Sequence, residues 1–341
     1  MKKIVLFVCF LMCFILTHSQ ISVAPIHVGT AKKFEDGVID KFKTTKTIFV
    51  LPESINKDDY NSVLSEYWTV TPYELVDYDE FNLSDYFDGN FSIAEVKKLD
   101  LDDIYNNTNS LIFALDVYFF KDGIEDKLAK VKNKESSKYH KEFYENTYRI
   151  ARVLLFPKYS FFYQIYLLSA EKKLNEDSLR DLMYKEDCFH NLQVGFFKNY
   201  IQQVDSMINQ GKVYWMYGND VKENLKMLKT DTLYIPEYIE KEYSEPKFFA
   251  TKESNETFEE VIEEYKLPFK VISEDDLNKK IISNEPIYYL RFARMVHQKF
   301  IIVVDGQTGE EIYKKYVPGI ASKLNIQPRQ IRDISETIKG L

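Results

Sequence analysis

The chain has 341 residues and a formal net charge of −8, because 45 basic side chains face 53 acidic ones. This acidic balance argues against a nucleic-acid partner, which would need a basic surface. Aromatic residues make up 15% of the chain, whereas it has only 11 glycines and 10 prolines. Such a composition is typical of a packed globular protein and excludes a disordered one.

The first 19 residues have the pattern of a secretory signal peptide. Two lysines precede an apolar core from Ile4 to Leu16, and Ser19 stands before the expected cleavage site at Gln20. Because this core is too short to cross a bilayer, we expect an exported mature chain without a transmembrane helix. A lipid anchor on a cysteine of the core is the alternative, although neither cysteine follows the small residues that such a signal needs.

A stretch from Thr47 to Asn82 recurs in looser form from Thr232 to Asn278, and we align Leu51-Pro52-Glu53 with Ile235-Pro236-Glu237. In each copy a short strand ends at the proline, and an amphipathic helix follows with apolar residues at i, i+3, i+4 and i+7. These stripes are Tyr60, Val63, Leu64 and Tyr67 in one copy and Phe258, Val261, Ile262 and Tyr265 in the other.

The two copies also share signals for helix starts and for a second strand. A polar side chain caps the first helix, a proline leads into the second strand, and another polar residue starts the next helix. The matched positions are Asn56 and Ser254 for the caps, Pro72 and Pro268 before the strands, and Asp77 and Ser273 at the next helix.

Each copy continues with a third strand and a hairpin. The third strands are predicted from Ile112 to Phe120 and from Ile287 to Met295. One hairpin is predicted from Arg152 to Leu168, turning near Pro157, and the other from Phe300 to Tyr316, with a glycine-containing turn that favours a tight reversal. Each module therefore has the predicted order β-α-β-α-β-β-β, although two unrelated α/β segments remain the alternative.

The fold class is accordingly α/β (α+β), with two tandem pseudo-repeated modules joined by a helical bridge. We predict a signal peptide at 1–19, a lead-in at 20–45, modules at 46–169 and 231–318, a bridge at 170–230 and a terminal segment at 319–341. In the terminal segment, a helix from Pro328 to Lys339 carries isoleucines on one face.

No pattern for catalysis, cofactor binding or metal binding stands out. Cys188, the only cysteine once the signal is removed, lies near His190, but nothing in the sequence orients the two as nucleophile and base, so we expect a structural thiol. The histidines do not stand at metal-ligand spacing. We therefore predict that the protein is not an enzyme and that it holds no metal or cofactor.

Two groups of residues are candidates for contacts. Tyr214, Trp215 and Tyr217 could form an exposed aromatic contact for a ligand or partner, or could bury against the bridge. Asp116 and Arg291 occupy matching positions in the predicted third strands, where an isolated charge would be costly to bury. We hypothesise that this aspartate and this arginine pair across a pseudo-twofold axis between the modules.

A lysine-rich segment from Lys121 to Glu145 is the remaining charged feature. Runs of this kind are most often solvated loops, and the interleaved acidic residues favour that interpretation. A patch for an anionic surface, such as lipid headgroups or polysaccharide, is the alternative.

The turn from Trp68 to Tyr73, the bridge segment from Phe197 to Ile201 and the strand from Leu233 to Glu237, together with the signal before Gln20, resemble a group of secreted proteins of Gram-negative bacteria. The resemblance implies a location in the periplasm or at the outer membrane. Less closely, the element order is similar to that of the α/β domains of envelope secretion factors such as the curli-secretion lipoprotein, which bears on fold alone.

We expect a non-enzymatic exported protein that binds a protein partner or scaffolds an envelope assembly, because export and duplication accompany an absence of catalytic patterns. One alternative is a small-molecule or glycan binder that uses the cleft between the modules. Another is an enzyme whose site is assembled from scattered residues. The sequence leaves the oligomeric state open.

Overall fold

A computed structural model describes residues 20–27, 29–99, 111–132, 136–244, 256–295, 298–318 and 324–341. The strands are β1 Ile21–Val23, β2 Lys46–Val50, β3 Tyr73–Leu75, β4 Phe91–Leu99, β5 Ile112–Phe120, β6 Thr147–Leu155, β7 Asp220–Val221, β8 Leu233–Pro236, β9 Phe269–Ile272, β10 Tyr288–Met295, β11 Gln298–Asp305 and β12 Glu311–Val317.

The helices of the described chain are α1 Val38–Lys43, α2 Lys57–Tyr67, α3 Ile124–Ala129, α4 Ser137–Glu145, α5 Tyr159–Ala170, α6 Glu176–Lys185, α7 Val194–Asn209, α8 Glu237–Ser244, α9 Phe258–Ile262, α10 Glu274–Ile282 and α11 Pro328–Gly340. Short 3₁₀ turns add Tyr78–Glu80, Leu83–Tyr86 and Glu223–Lys229.

The strands form two six-stranded mixed sheets with the same topology. Their orders are β1-β6-β5-β4-β2-β3 and β7-β12-β11-β10-β8-β9, so each strand of the first sheet has a counterpart in the second. In both sheets β2 or β8, the strand next to one edge, pairs parallel with the strand on each side of it, and all other neighbouring strands pair antiparallel. The predicted α/β duplication is confirmed.

The strand register corrects the predicted alignment of the two copies. The Thr47 amide donates to the Pro72 carbonyl at 2.8 Å, and the Leu233 amide donates to the Pro268 carbonyl at 3.0 Å. Thr47 is therefore the counterpart of Leu233, and the alignment of Leu51 with Ile235 is wrong by two residues. A proline at a strand end marks a boundary, but it does not fix the register.

The strand predicted from Ile112 to Phe120 forms with these bounds, but its place as the third strand of the first module is wrong. The place of β10 is taken by β4 (Phe91–Leu99), whereas Ile112–Phe120 is β5, the counterpart of β11. The sequence of β4 does not have the pattern of a buried strand, because Glu95, Lys97 and Lys98 interrupt the apolar run. The second-module strand was placed correctly and coincides with β10.

Of the two predicted hairpins, only the second forms. β11 pairs antiparallel with β12, which confirms it. In the first module β6 ends at Leu155 and helix α5 begins at Tyr159. The aromatic-rich sequence favours a strand, but Phe161 and Ile165 are buried one helical turn apart, and this tertiary packing decides for the helix.

The helix signals gave mixed results. The Asn56 side chain accepts a hydrogen bond from the Asp58 amide at 2.8 Å, and Ser273 caps α10, both as predicted. Ser254 lies outside the described residues, and the cap of α9 is instead Thr257, which forms a reciprocal capping box with Glu260.

Chain outside the predicted module bounds completes both sheets. The lead-in supplies β1 and the bridge supplies β7, and each strand forms one edge of its sheet. The terminal helix α11 buries Ile331, Ile334 and Ile338 as predicted, and it packs against α9 and the 3₁₀ turn at Glu223–Lys229.

Helix α7 lies between the modules and binds both. Towards the first module, the Asp205 carboxylate accepts the amide hydrogens of Thr69 at 2.6 Å and Val70 at 3.1 Å. Towards the second, the Lys198 ammonium donates to the Ile281 carbonyl at 2.6 Å. Buried side chains from both modules and α7 form one continuous apolar cluster. The bridge is therefore part of the core that joins the two modules.

Candidate functional site

The crevices where open α/β sheets usually bind ligands, at the carboxyl ends of their parallel strands, are filled by protein in both modules. The Tyr184 hydroxyl accepts the Val96 amide hydrogen at 3.0 Å and donates to the Val96 carbonyl at 2.8 Å. The Tyr238 hydroxyl makes the same pair of bonds to Phe292, at 3.0 and 2.8 Å.

Val96 and Phe292 occupy equivalent positions, since each lies four residues after the strand residue that pairs with Thr47 or Leu233. The two tyrosines come from unrelated places, Tyr184 from α6 in the bridge and Tyr238 from α8. Both are fully buried. Each hydroxyl thus satisfies the strand's backbone where the parallel ladder ends, and each ring closes the crevice.

We expect Tyr184→Phe and Tyr238→Phe each to lower the free energy of unfolding by about 1–3 kcal/mol, because a buried amide and carbonyl lose their partner. Chemical denaturation would measure the loss. Tyr73→Phe is the control, since the Tyr73 hydroxyl contacts Asn61 in an exposed position and should cost much less. Equal losses in all three variants would contradict this role for the buried hydroxyls.

Asp116 and Arg291, predicted to pair across the modules, instead have separate partners. Asp116 accepts two hydrogen bonds from Arg152, from Nε and Nη2, both at 2.6 Å, and lies 3.5 Å from Lys97 Nζ. Arg291 pairs with Glu311, and both side chains have no exposed surface. The two residues are not equivalent either, because the counterpart of Arg291 is Glu95 on β4. The hypothesis of a pair across the modules is therefore wrong, and each of the two residues pairs within its own sheet.

His27 lies beside the charged cluster of the first sheet. Only 3% of its surface is exposed, and neither ring nitrogen has a hydrogen-bond partner. Burial lowers the pKa of this imidazole well below 6.5, and the charges of Arg152, Arg149 and Lys97 act in the same direction, while Asp116 opposes them. Protonation would place a further cation among three others.

His27 should make the protein sensitive to mild acid. Its folded-state pKa is lowered, so the unfolded chain binds the proton first, and stability is lost as the pH falls below about 6.5. We expect the free energy of unfolding of His27→Gln to fall less steeply with decreasing pH in that window, by up to about 1.4 kcal/mol per pH unit. Denaturation midpoints measured between pH 7 and pH 5 would test this expectation, and identical pH profiles for variant and wild type would contradict it.

Cys188 is buried, and its thiol donates to the Leu182 carbonyl at 3.2 Å. Burial raises the pKa of this thiol to about 12, and the charges of Asp187 and Glu186 add to the effect. The thiol is therefore protonated and a poor nucleophile at neutral pH. The His190 imidazole lies 3.2 Å from Glu242 Oε1, a carboxylate in the second module.

Of the three predicted aromatic contact residues, Tyr214 joins the two sheets. Tyr214 and Trp215 are each 5% exposed, and the Tyr214 backbone exchanges two hydrogen bonds with Val23 at the edge of the first sheet. The Tyr214 hydroxyl donates to Glu311 of the second sheet at 2.7 Å. Tyr217 is half-buried against Phe300 and Tyr316. Tyr214 therefore belongs to the interface between the modules, and the three side chains do not form an exposed platform.

The described chain contains a groove of about 590 Å³ between the lead-in and the end of α7. Its lining mixes both charge signs with apolar side chains, including Lys33, Phe34, Asp36, Asp40, Lys43 and Ile208. Helix α7 occupies the space between the modules where a ligand cleft was predicted. In the residues that the structure describes, no group of three or more His, Cys, Asp or Glu side chains could hold a metal ion.

In the part of the chain that the structure describes, the most exposed large apolar side chain, Tyr166, lies on α5, a segment that the sequence analysis had assigned to a hairpin. Tyr163 is 47% exposed, Tyr166 60% and Leu167 41%, and we call these three residues the α5 face. None of the 12 residues of α5 is charged. A helix that is apolar all round is normally buried on all sides. The sequence did contain a pattern that indicates this helix, because the apolar positions 163, 166 and 167 have helical spacing.

Comparison of the chain with protein-family models, with curated proteins and with solved structures gives no match. None of the helices that the structure describes is long and apolar enough to cross a membrane.

Proposed function

We propose that this protein is an exported, non-enzymatic scaffold of the cell envelope of a Gram-negative bacterium, and that the α5 face is its docking surface for protein. The exposure of Tyr163, Tyr166 and Leu167 on an uncharged helix carries the proposal. Tyrosine is enriched at protein interfaces because its ring buries apolar area while its hydroxyl keeps a hydrogen bond.

The rest of the molecule supports a binding role over a catalytic one. The usual ligand crevices are filled by Tyr184 and Tyr238, and the Cys188 thiol is held in its protonated form. Phe161 and Ile165 are buried, and Phe161 packs against Phe113 and Phe189, so the inner side of α5 is held on the body of the protein. A pre-organised surface binds with less entropy loss than a mobile one.

Site-specific photocrosslinking in intact cells tests the proposal. A photoreactive phenylalanine analogue at position 166 should give one reproducible protein adduct after purification of the tagged mature chain. The control places the same analogue at Met227, which is 45% exposed on a different part of the surface. Absence of any adduct at 166, or equal adducts at both positions, would refute docking through α5.

The groove beside the lead-in favours a second candidate, a small-molecule binder, since its volume falls in the range of ligand pockets. Asp40 and Lys43 would then orient a zwitterionic ligand. A thermal-shift screen of amino acids and small saccharides would detect such binding, and Asp40→Asn should abolish the shift. If no compound raises the melting temperature of the wild type, this candidate fails.

A further inference from the structure

The expected mature chain begins inside the protein. Gln20 follows the predicted cleavage site, and residues 20–24 have no exposed surface. Strand β1 pairs with β6 on one side, and on the other side the Val23 amide donates to the Tyr214 carbonyl at 2.7 Å. The first strand of the mature chain is therefore enclosed at the joint between the two modules.

Gln20 itself is held by neutral groups. Its backbone carbonyl accepts the Leu154 amide hydrogen at 3.1 Å, and its side-chain Nε2 donates to the Leu154 carbonyl. The side chain also contacts the Tyr200 hydroxyl of α7. The Leu154 carbonyl accepts a second hydrogen bond from Asn191 Nδ2 at 3.1 Å, so it would keep a donor if Nε2 of Gln20 were lost.

A charged chain end would be costly at this position. Cleavage before Gln20 creates an α-amino group, which is mostly protonated in water at neutral pH. The Arg291 guanidinium already lies 4.9 Å from the centroid of the Tyr200 ring, and Glu311 is already paired with that guanidinium. A further cation without a counter-charge is expensive to bury. A neutral end therefore fits the site better than an ammonium group.

We propose that the mature chain begins with pyroglutamate, formed by cyclisation of Gln20 after the signal peptide is removed. The unprotonated α-amino nitrogen attacks the side-chain amide carbon Cδ and forms a bond to it, while the bond between Cδ and Nε2 breaks. The α-nitrogen gives up one proton, Nε2 takes up one proton, and ammonia leaves. The reaction needs no oxidant, reductant or further reactant. This inference rests on the proposed function, because it requires export and cleavage.

The lactam suits the buried site in charge and in size. It cannot be protonated at neutral pH, and it has one heavy atom fewer than Gln20. The backbone carbonyl of residue 20 is unchanged and keeps its bond from the Leu154 amide, while Asn191 remains on the Leu154 carbonyl. Because the Gln20 side chain is bound to Leu154 in the folded protein, the ring has to close before β1 docks on β6.

Mass spectrometry of the mature protein from its native cells is the first test. The tryptic peptide that begins at residue 20 and ends at Lys32 should be lighter than its sequence predicts by one ammonia molecule. A synthetic peptide with a free Gln20, carried through the same digestion, is the control for ring closure during handling. An intact Gln20 in the protein, or a cyclised fraction no larger than that of the control, would overturn the inference.

A comparison of melting temperatures tests the physical reason. Two forms of the mature chain, one with a free Gln20 and one closed by a glutaminyl cyclase, would be unfolded in urea and refolded, so that they differ in the ring alone. The cyclised form should melt at the higher temperature. The difference should grow as the pH falls from about 9 to about 7, because the unfolded chain then takes up a proton that the buried end resists. Equal melting temperatures throughout would contradict a buried neutral end.

The outcomes separate this inference from the proposed function. A mature chain that starts at Gln20 with its side-chain amide intact refutes cyclisation and leaves export and docking through α5 standing. Cleavage at a different residue has the same consequence. A chain that keeps residues 1–19 refutes both export and the pyroglutamate end.

Discussion

Replacing Glu311 by alanine is expected to lower the free energy of unfolding by about 3–5 kcal/mol. Glu311 and Arg291 have no exposed surface, and removal of the carboxylate leaves the guanidinium charged and buried. Two of the guanidinium nitrogens, Nε and Nη1, already lack a hydrogen-bond partner. The Tyr214 hydroxyl would also lose its acceptor.

A second buried cation near Glu311 adds to the cost of this substitution. Lys314 lies on the same strand, and its ammonium is 3.8 Å from the centroid of the Tyr214 ring. Burial lowers the pKa of Lys314 to about 7, while the charge of Glu311 acts to raise it. Without that carboxylate, Lys314 should lose its proton more readily.

Urea denaturation monitored by circular dichroism would measure the loss in Glu311→Ala. The control removes the exposed pair partner in Glu74→Ala, where Lys46 and Glu74 are 43% and 50% exposed and the loss should stay below about 1 kcal/mol. The double variant Arg291→Leu/Glu311→Leu should recover part of the stability, since the buried guanidinium is removed together with its carboxylate, while the losses at Lys314 and at the Tyr214 hydroxyl remain. A double variant less stable than Glu311→Ala would contradict this account.

Gly309→Ala should destabilise the protein by about 2–5 kcal/mol through two separate effects. The φ of Gly309 is +74°, a left-handed conformation that costs other residues about 1–2 kcal/mol. A Cβ at this position would also lie 2.6 Å from the Asn199 carbonyl oxygen, so the β11–β12 turn could no longer approach α7.

Gly211→Ala isolates the first effect. Its φ is +62°, but a Cβ there would meet nothing within 4 Å. The difference between the two variants in denaturation experiments therefore reports the close approach of the turn to α7. If both variants lose the same stability, contact between this turn and α7 contributes little to the docking of the second module.

Local spacing and capping were enough to determine much of the secondary structure from sequence. The stripe beginning at Tyr60 and the cap at Asn56 were correct because both depend on residues within one helical turn. The duplication was found in the same way, from prolines and helix stripes in the same order. The helix at Pro328–Gly340 followed from its proline start and its isoleucine spacing.

Tertiary structure decided what the local pattern could not. β4 is a central strand despite Glu95 and Lys97, because Tyr118 and Asp116 on the neighbouring strand supply a hydroxyl and a counter-charge for them. α5 is a helix because Phe161 and Ile165 find a buried surface on the first module. Neither environment can be derived from the residues that flank these elements.

The partners of the buried charges were likewise beyond sequence reasoning. Asp116 and Arg152 are 36 residues apart, and Tyr184 reaches Val96 across 88 residues. The chain therefore determined by itself that it forms two α/β modules, since helix and strand periodicity is local. Only the packed structure determined which charges pair, that tyrosines fill both crevices and that α5 keeps an exposed face, because these features depend on strand register and on contacts between distant segments.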